Sequence, residues 1–508
     1  MRIVLALAAL AAAAPAHAAW YKASSKHFII YADESPKDLN DFATRLERFD
    51  QAVRFVRRMD DPPIGDGNRL TVFVMPSLAT IQKMADDKFV EGFYEGRASG
   101  SVAFVPRKKY FADADTLDPD IVFFHEYSHH LMFQALNRPL PEWLVEGFAE
   151  FMSTVRFKDN GDIGIGAPAQ HRAVGLLEGD HLPLETMLSG NYTKITPEER
   201  ESIYGRGWLL VHYLTFEKSR SGQLERYADL LAKGTPSLDA ARSAFGDLKQ
   251  LDRDLGDYLK RSTLTYWVLP GSKFTAGNIS IQPLSEGASK VIMLRAESQH
   301  GVDDKSAEPL AAQVREVEAR YPGDELVEVT LAEAELDAGH PEASEAAAER
   351  AVKANPRDTD ALVLQGRAME ALAEKMSGEA RANAFATVRR LFIAANGVDT
   401  EDPDPLFQYY LSYAKQGIPP TDNAIAALHY ASDLAPQDVG VRMNSAIAYL
   451  SEGKLQEAKS TLSVVAYSPH SGEVSDIAKR MMADIEAGDA RKALSEGQSG
   501  SNSKAGSR

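Results

Sequence analysis

Five prolines put the tightest limit on what this chain can fold into. Pro322 to Pro356 spans 34 residues, Pro403 to Pro436 spans 33, and Pro436 to Pro469 spans 33. From about Ser306 the composition between these prolines shifts to Ala, Glu and Leu. A period near 34 residues with proline punctuation belongs to stacked helix–turn–helix units, each of which buries its apolar face only against its neighbours. Register agrees with period: Leu331, Ala332 and Ala351 in the first unit, and Ala446, Tyr449, Ala458 and Leu462 in the last, fall at small or aromatic packing positions. Ala-rich helices with incidental prolines would give the composition without the register. The stretch from Pro356 to Pro403 is longer and reads as a divergent unit with an insertion. An all-α solenoid is expected over 306–490, followed by a disordered polar tail over 491–508.

The solenoid leaves about 300 residues to a second architecture, and a 508-residue chain exceeds what one core holds. Residues 1–18 read as a signal peptide: Arg2, an apolar run from Ile3 to Ala14, then Ala16-His17-Ala18 as a cleavage site. Export to the periplasm or beyond is expected, with no membrane span after cleavage. The chain has no cysteine, so an exported fold must rely on core burial and any bound metal. The net charge of −17, or −18 without Arg2, disfavours nucleic acid and anionic lipid as partners.

Residues 20 to about 106 alternate strand and helix signals, and the segments from Glu199 to about Trp267 look mainly helical. "HFIIYA" (27–32), "RLTVFVMP" (69–76) and "SGSVAFVP" (99–106) read as strands, and 38–59 has the helical spacing of Phe42, Leu46, Phe49, Val53 and Val56. Residues 271–305 read as a connector with two strand-like runs, "NISIQPL" and "KVIMLRA". Between these lies "IVFFHEYSHHLMFQAL" (121–136), opened by Asp118 as N-cap and Pro119 at the first helical position. His125 and His129 are four apart, so they project side by side from one helix face and suit one Zn²⁺; Glu126, about 100° round, reaches water at the metal. A solvated helix face is the bland alternative, and Phe123, Phe124, Leu131, Met132 and Phe133 leave little room for one. A zinc hydrolase needs a third protein ligand. Seventeen residues after His129 comes Glu146, in "PEWLVEGFAEF" on the next helix; a turn at Asn137-Arg138-Pro139 would bring it back to face the histidines. Glu150, one turn on, is placed to hydrogen-bond a ligand imidazole or to be a surface carboxylate.

"HEYSH" followed by "WLVEGFAEF" resembles the gluzincin zinc metallopeptidases, including secreted bacterial proteins that join a peptidase MA-like domain to tetratricopeptide repeats, which the 34-residue units also resemble. The resemblance covers roughly residues 20–270 and implies an α+β, zincin-like domain: a small twisted sheet before the metal helix and a helical subdomain after it. It implies Zn²⁺ held by His125, His129 and Glu146, with Glu126 as general base and a tyrosine or histidine of the helical subdomain as oxyanion donor. Tyr204, in "SIYGRGW", is the candidate donor and Tyr192 its rival. No G-x-M-E-N-like segment precedes the metal helix, so endopeptidase action is favoured over aminopeptidase action.

The expected function is therefore an exported zinc peptidase acting on a peptide or protein substrate, with a further protein partner on the repeat surface. The alternative is a tetratricopeptide binding scaffold with a catalytically retired zinc domain; an intact Glu126 speaks against it. A structural zinc would usually draw on cysteine. His130 points about 100° away from His129 and reads as structural, and His171, His181 and His212 lack a paired spacing and read as packing or surface histidines. "SGSVAFVP" is either a sheet edge for peptide docking by strand addition or a plain buried strand.

Overall fold

The computed structural model describes residues 20–88, 90–106, 119–135, 140–177, 181–190, 192, 195–466 and 472–504. The expected signal peptide, the Asp118 cap and the turn at 137–139 fall outside them. Among the described residues no helix is long and apolar enough to cross a membrane.

The strands are β1 (Tyr21–Ser24), β2 (Phe28–Ala32), β3 (Leu70–Met75), β4 (Phe93–Glu95), β5 (Val102–Pro106), β6 (Arg156–Phe157), β7 (Ile163–Ile165), β8 (Trp267–Leu269) and β9 (Ser280–Pro283). Six of them form one sheet in the order β4-β5-β3-β2-β1-β9, and β6-β7-β8 form a small second sheet. The pairs β2–β3 and β3–β5 are parallel; β4 runs antiparallel to β5 and closes that side of the sheet. "SGSVAFVP" therefore lies inside the sheet. Its strand-addition reading is corrected, because β4, three residues with no alternating pattern, takes the edge.

Among the described residues ten α-helices complete the first part: α1 (Pro36–Arg57), α2 (Leu78–Met84), α3 (Pro119–Ala135), α4 (Glu142–Ser153), α5 (Ala173–Leu177), α6 (Leu184–Ser189), α7 (Pro197–Phe216), α8 (Gln223–Ala232), α9 (Ser237–Phe245) and α10 (Leu248–Leu259). Helix α1 begins where the local chemistry dictates. Ser35 Oγ accepts from the Asp38 amide at 3.2 Å, and Pro36 occupies the first turn, where its missing N–H is no loss. The period-2 alternation of the strands sorts the sheet's two faces. Ile30, Val72, Val74 and Ala103 join the core built on α1, α3 and α4, while Tyr31, Phe73, Met75 and Phe104 pack against Ile292 and Ala296 on the other side.

Those last two residues belong to α11 (Glu286–His300), so "KVIMLRA" is helical and its strand reading is corrected. The β-branched run suggested a strand; the Ser285 cap, accepting from the Ala288 amide at 3.0 Å, and burial of Val291, Ile292 and Ala296 decide for a helix. The segment 271–305 thus supplies both an edge strand and a packed helix rather than a free connector. From here on the described residues form helices: α12 (Ala307–Glu318), α13 (Glu325–Asp337), α14 (Pro341–Ala354), α15 (Thr359–Glu374), α16 (Gly378–Val398), α17 (Pro403–Gln416), α18 (Asp422–Leu434), α19 (Val439–Ser451), α20 (Leu455–Ala466), α21 (Gly472–Glu486) and α22 (Ala490–Lys504). Each packs on the next, giving the tandem helix pairs that the proline period requires. Leu331, Ala332, Ala351, Ala446, Ala458 and Leu462 are all buried in it, and Tyr449 stacks on His429 with ring centroids 3.7 Å apart. An aspartate caps α13, α15, α17 and α19 in turn: Asp324, Asp358, Asp402 and Asp438. The disordered tail expected over 491–508 is corrected for residues 491–504. Ala493 is fully buried in the last apolar cluster with Leu494 packed against it, and this anchors α22 on α19 and α21.

Candidate metal centre

Two helices and one turn build the site. Helix α3 carries His125, Glu126 and His129; its other face is apolar, with Phe123, Phe124 and Tyr127 buried among Phe28, Phe42 and Phe49. Helix α4 is buried almost along its whole length and carries Glu146 and Glu150. It is crossed by α7 at very close range. A Cβ on Gly147 would lie 2.4 Å from the Gly207 carbonyl carbon, and one on Gly207 would lie 2.6 Å from the Trp143 carbonyl oxygen. Only glycine permits this approach, which sets Tyr204, one turn before Gly207, beside the ligand face.

The structure brings the sequence's candidates together. His125 Nε2 and His129 Nε2 are 3.1 Å apart, and Glu146 Oε2 lies 3.3 Å from the first and 3.4 Å from the second. Zinc bonds of about 2.0–2.1 Å in tetrahedral geometry place ligand atoms about 3.3 Å from one another. The triangle matches one face of such a tetrahedron. The donor set, two imidazoles and a carboxylate, is that of a site with an open fourth position. The residues present therefore fit a zinc ion.

Glu150 does more than sit at the surface. It is 1 % exposed, and its Oε1 lies 3.3 Å from His125 Nδ1. Its other oxygen meets His171 Nε2 at 2.8 Å, and the Arg172 guanidinium contacts Oε1 at 2.6 Å. Burial works against the Glu150 charge, but the hydrogen bonds with His125 and His171 and the Arg172 charge outweigh it and hold the carboxyl well below its ordinary range. An ionised Glu150 that accepts from Nδ1–H of His125 fixes the ring so that Nε2 faces His129 and Glu146. Burial likewise opposes a charged His125 ring, yet hydrogen bonds with Glu146 and Glu150 and the charge of Glu126 push its proton affinity up to about 10. The pocket attracts positive charge.

Tyr204 lies with its ring 6.0 Å from that of His125 and under the Arg172 guanidinium, 5.0 Å from the ring centroid. Burial and the charges of Glu146, Glu201 and Glu126 raise its hydroxyl well above the ordinary value, so it remains a proton-bearing donor. Its rival Tyr192 is corrected: it donates to the Met187 carbonyl at 2.8 Å, and its charged neighbours are Glu142 and Arg200.

His130 Nδ1 is hydrogen-bonded to the Tyr94 hydroxyl at 2.8 Å and its ring stacks on Tyr127; burial pushes it down to about 3, so it is neutral. His212 is buried between Tyr258 and the Gly166 carbonyl, and His181 is exposed. The packing or surface reading of His171 is corrected. It joins Arg172 in gripping Glu150, and both come from a single 3-10 turn, Gln170–Arg172. A turn more than 20 residues from Glu150 carries no spacing signal that would reveal this.

No protein-family model matches the chain, and comparison with curated proteins finds no match. Among solved structures the chain is similar to a thermophilic tetratricopeptide-repeat protein of Thermus thermophilus, at 19 % identity and a TM-score of 0.33, over 38 % of this chain and 97 % of that one. At that score the likeness argues neither fold nor function, and the helix-pair architecture rests on the helices themselves.

Proposed function

We propose that the chain is an exported zinc-dependent peptidase, a zincin-like α+β domain carrying tetratricopeptide-like repeats, and that it acts as an endopeptidase on peptide or protein substrates. The observation that carries this is the triangle of His125, His129 and Glu146 donor atoms with Glu126 on the same turn of α3. His125, His129 and Glu146 would hold the ion, and a bound zinc supplies an acidified water and a polarised carbonyl. Glu126 is partly exposed on the same helix and would take a proton from the attacking water and return it to the leaving amine. Tyr204 keeps its proton and donates to the developing oxyanion. Glu150, with His171 and Arg172, fixes the His125 ring. Periplasmic or extracellular location follows from the leader-like first 18 residues.

The test is incubation of the zinc-loaded protein with a diverse peptide library, read by mass spectrometry beside the Glu126→Gln variant. Internal cleavage by the first and none by the second is expected. Cleavage by neither, or equally by both, would reject the hydrolase and leave the retired-enzyme scaffold.

A further inference from the structure

The helical array does not stand clear of the sheet. The loops entering α15, α17 and α19 all reach it or the segments beside it. Asp360 pairs with Arg295 on α11 at 3.0 Å, and the Glu401 carbonyl accepts from Asn68 Nδ2 at 2.7 Å. The third contact is the most developed. Asp438 divides its carboxylate: Oδ1 accepts from the Val441 amide at 2.9 Å and caps α19, while Oδ2 accepts from the Ala98 amide at 2.7 Å. Gln437 Nε2 donates to Ser101 Oγ at 3.1 Å. Ala98 is itself buried in an apolar cluster with Leu428, Ala431 and Val441 of the array. A Cβ on Gly96 would come within 2.8 Å of both Gln437 and the Tyr94 hydroxyl.

This grip leads to the metal helix in two short steps. Ser101 Oγ lies 3.4 Å from the Tyr94 hydroxyl, and that hydroxyl is 2.8 Å from Nδ1 of His130, the neighbour of His129. Tyr94 sits in β4, the edge strand against α3. The array thus adds its grip to a glycine-bounded turn of the sheet domain, Gly96 to Gly100, that is otherwise held by Arg97 and by the pairing of β4 with β5.

We infer that the repeat array is a built-in brace of the metal site, with Gln437 and Asp438 as positioning residues that fix residues 96–101 and, through Tyr94, the His130 side of α3. This edge of the array is already occupied by the protein's own sheet domain, so a separate partner must use another face. The brace rests on the proposed function only in calling α3 the ligand helix.

The test compares the full-length protein with the double variant Gln437→Ala, Asp438→Ser. Serine keeps the N-cap of α19 but is too short to reach Ala98 as well. Gln437→Glu with Asp438 intact serves as the conservative variant: it keeps the grip on Ala98 and can accept from the Ser101 hydroxyl. Amide hydrogen exchange and zinc release to a chromophoric chelator are the readouts. The brace predicts faster exchange at 93–103 and along α3, unchanged exchange in α19–α22, and zinc release faster by about tenfold, the low end of what losses beyond the ligand shell produce; Gln437→Glu leaves all of these at the wild-type values. Exchange that rises at 93–103 and stops short of α3, or zinc release that does not change, would overturn it. A wild-type protein that binds no zinc would instead reject the proposed function, and exchange along α3 would still decide the brace.

Discussion

Two clusters in the sheet domain carry the side chains of a metal site, and they differ in how their charge is balanced. His27, Asp50 and Asp61 offer donor atoms that, like those of His125, His129 and Glu146, lie within 4.8 Å of one another. In the first, however, every carboxylate already has a cation. Arg54 Nε meets Asp50 at 2.9 Å, Lys26 meets Asp61 at 2.5 Å, and His27 Nδ1 meets Glu47 at 2.8 Å. Asp50 also accepts from the Tyr127 hydroxyl at 2.8 Å. A metal ion entering there would face an arginine and a lysine. In the second cluster Glu146 and Glu150 meet two imidazoles with Glu126 close by, and Arg172 is engaged with Glu150 Oε1, the oxygen that also meets His125 Nδ1. One arrangement locks strand β2 to helix α1; the other leaves negative charge to be satisfied by a cation. The lesson is that residue types at ligand distance do not define a metal site until the surrounding cations are counted.

The comparison breaks most sharply at Glu146. Its replacement by Ala should lower zinc affinity by more than the ~10–100-fold expected of residues outside the ligand shell. His27→Gln should leave zinc stoichiometry at the wild-type value; metal analysis of both variants checks the pair. Next in size is Glu126→Gln. Peptide cleavage should fall by about 10²–10⁴-fold with zinc retained, measured as kcat/KM on a peptide taken from the library. Arg172→Met, which leaves Glu150 to His171 and His125 and removes the stack on Tyr204, should weaken zinc binding by about 10–100-fold in a chelator competition. Gly147→Ala forces α4 off α7 and should lower stability by about 1–3 kcal/mol or more in denaturant titration, with loss of activity as Tyr204 shifts.

The smallest expected effect is a pH dependence of the first cluster. Burial disfavours a charged His27, but Glu47, Asp50 and Asp61 overcome it and raise its proton affinity above the ordinary 6.5. That contribution is complete below pH 6.5 and is lost as pH rises through the raised value. Burial raises Glu47 while its bonds to His27 lower it further, to a net position below 4.5; its contribution is complete above pH 4.5 and is lost as pH falls through the depressed value. The cluster therefore stabilises most between those two values. His27→Gln should cost on the order of 3 kcal/mol near pH 6, and the gap in thermal midpoint between variant and wild type should narrow towards pH 9. A gap independent of pH would mean that His27 is not charged in the fold.

What could be read from the sequence follows the range of the interactions. The spacing of His125 and His129 is set within one helical turn, and the proline period and its packing residues are set within one helix pair, so both are visible locally. Glu146 became visible because its helix follows directly. Arg172 and His171 act on Glu150 from a turn more than 20 residues away, and Gln437 and Asp438 act on Ala98 and Ser101 from more than 300 residues away. No local pattern encodes either. Strand β4 escapes notice because three residues carry no alternation, and α11 is misread because its β-branched core run outweighs the Ser285 cap upstream of it. The polar sequence of α22 looks like a tail because its anchor is one alanine and one leucine near its start.

The most direct measurement is X-ray absorption at the zinc edge on the protein loaded with one equivalent of zinc, with Glu146→Ala alongside. The account predicts two imidazole nitrogens and two oxygens at about 2.0–2.1 Å, one oxygen fewer from protein in the variant or no bound zinc at all. A shell of six oxygens, or a wild-type spectrum unchanged by Glu146→Ala, would contradict it.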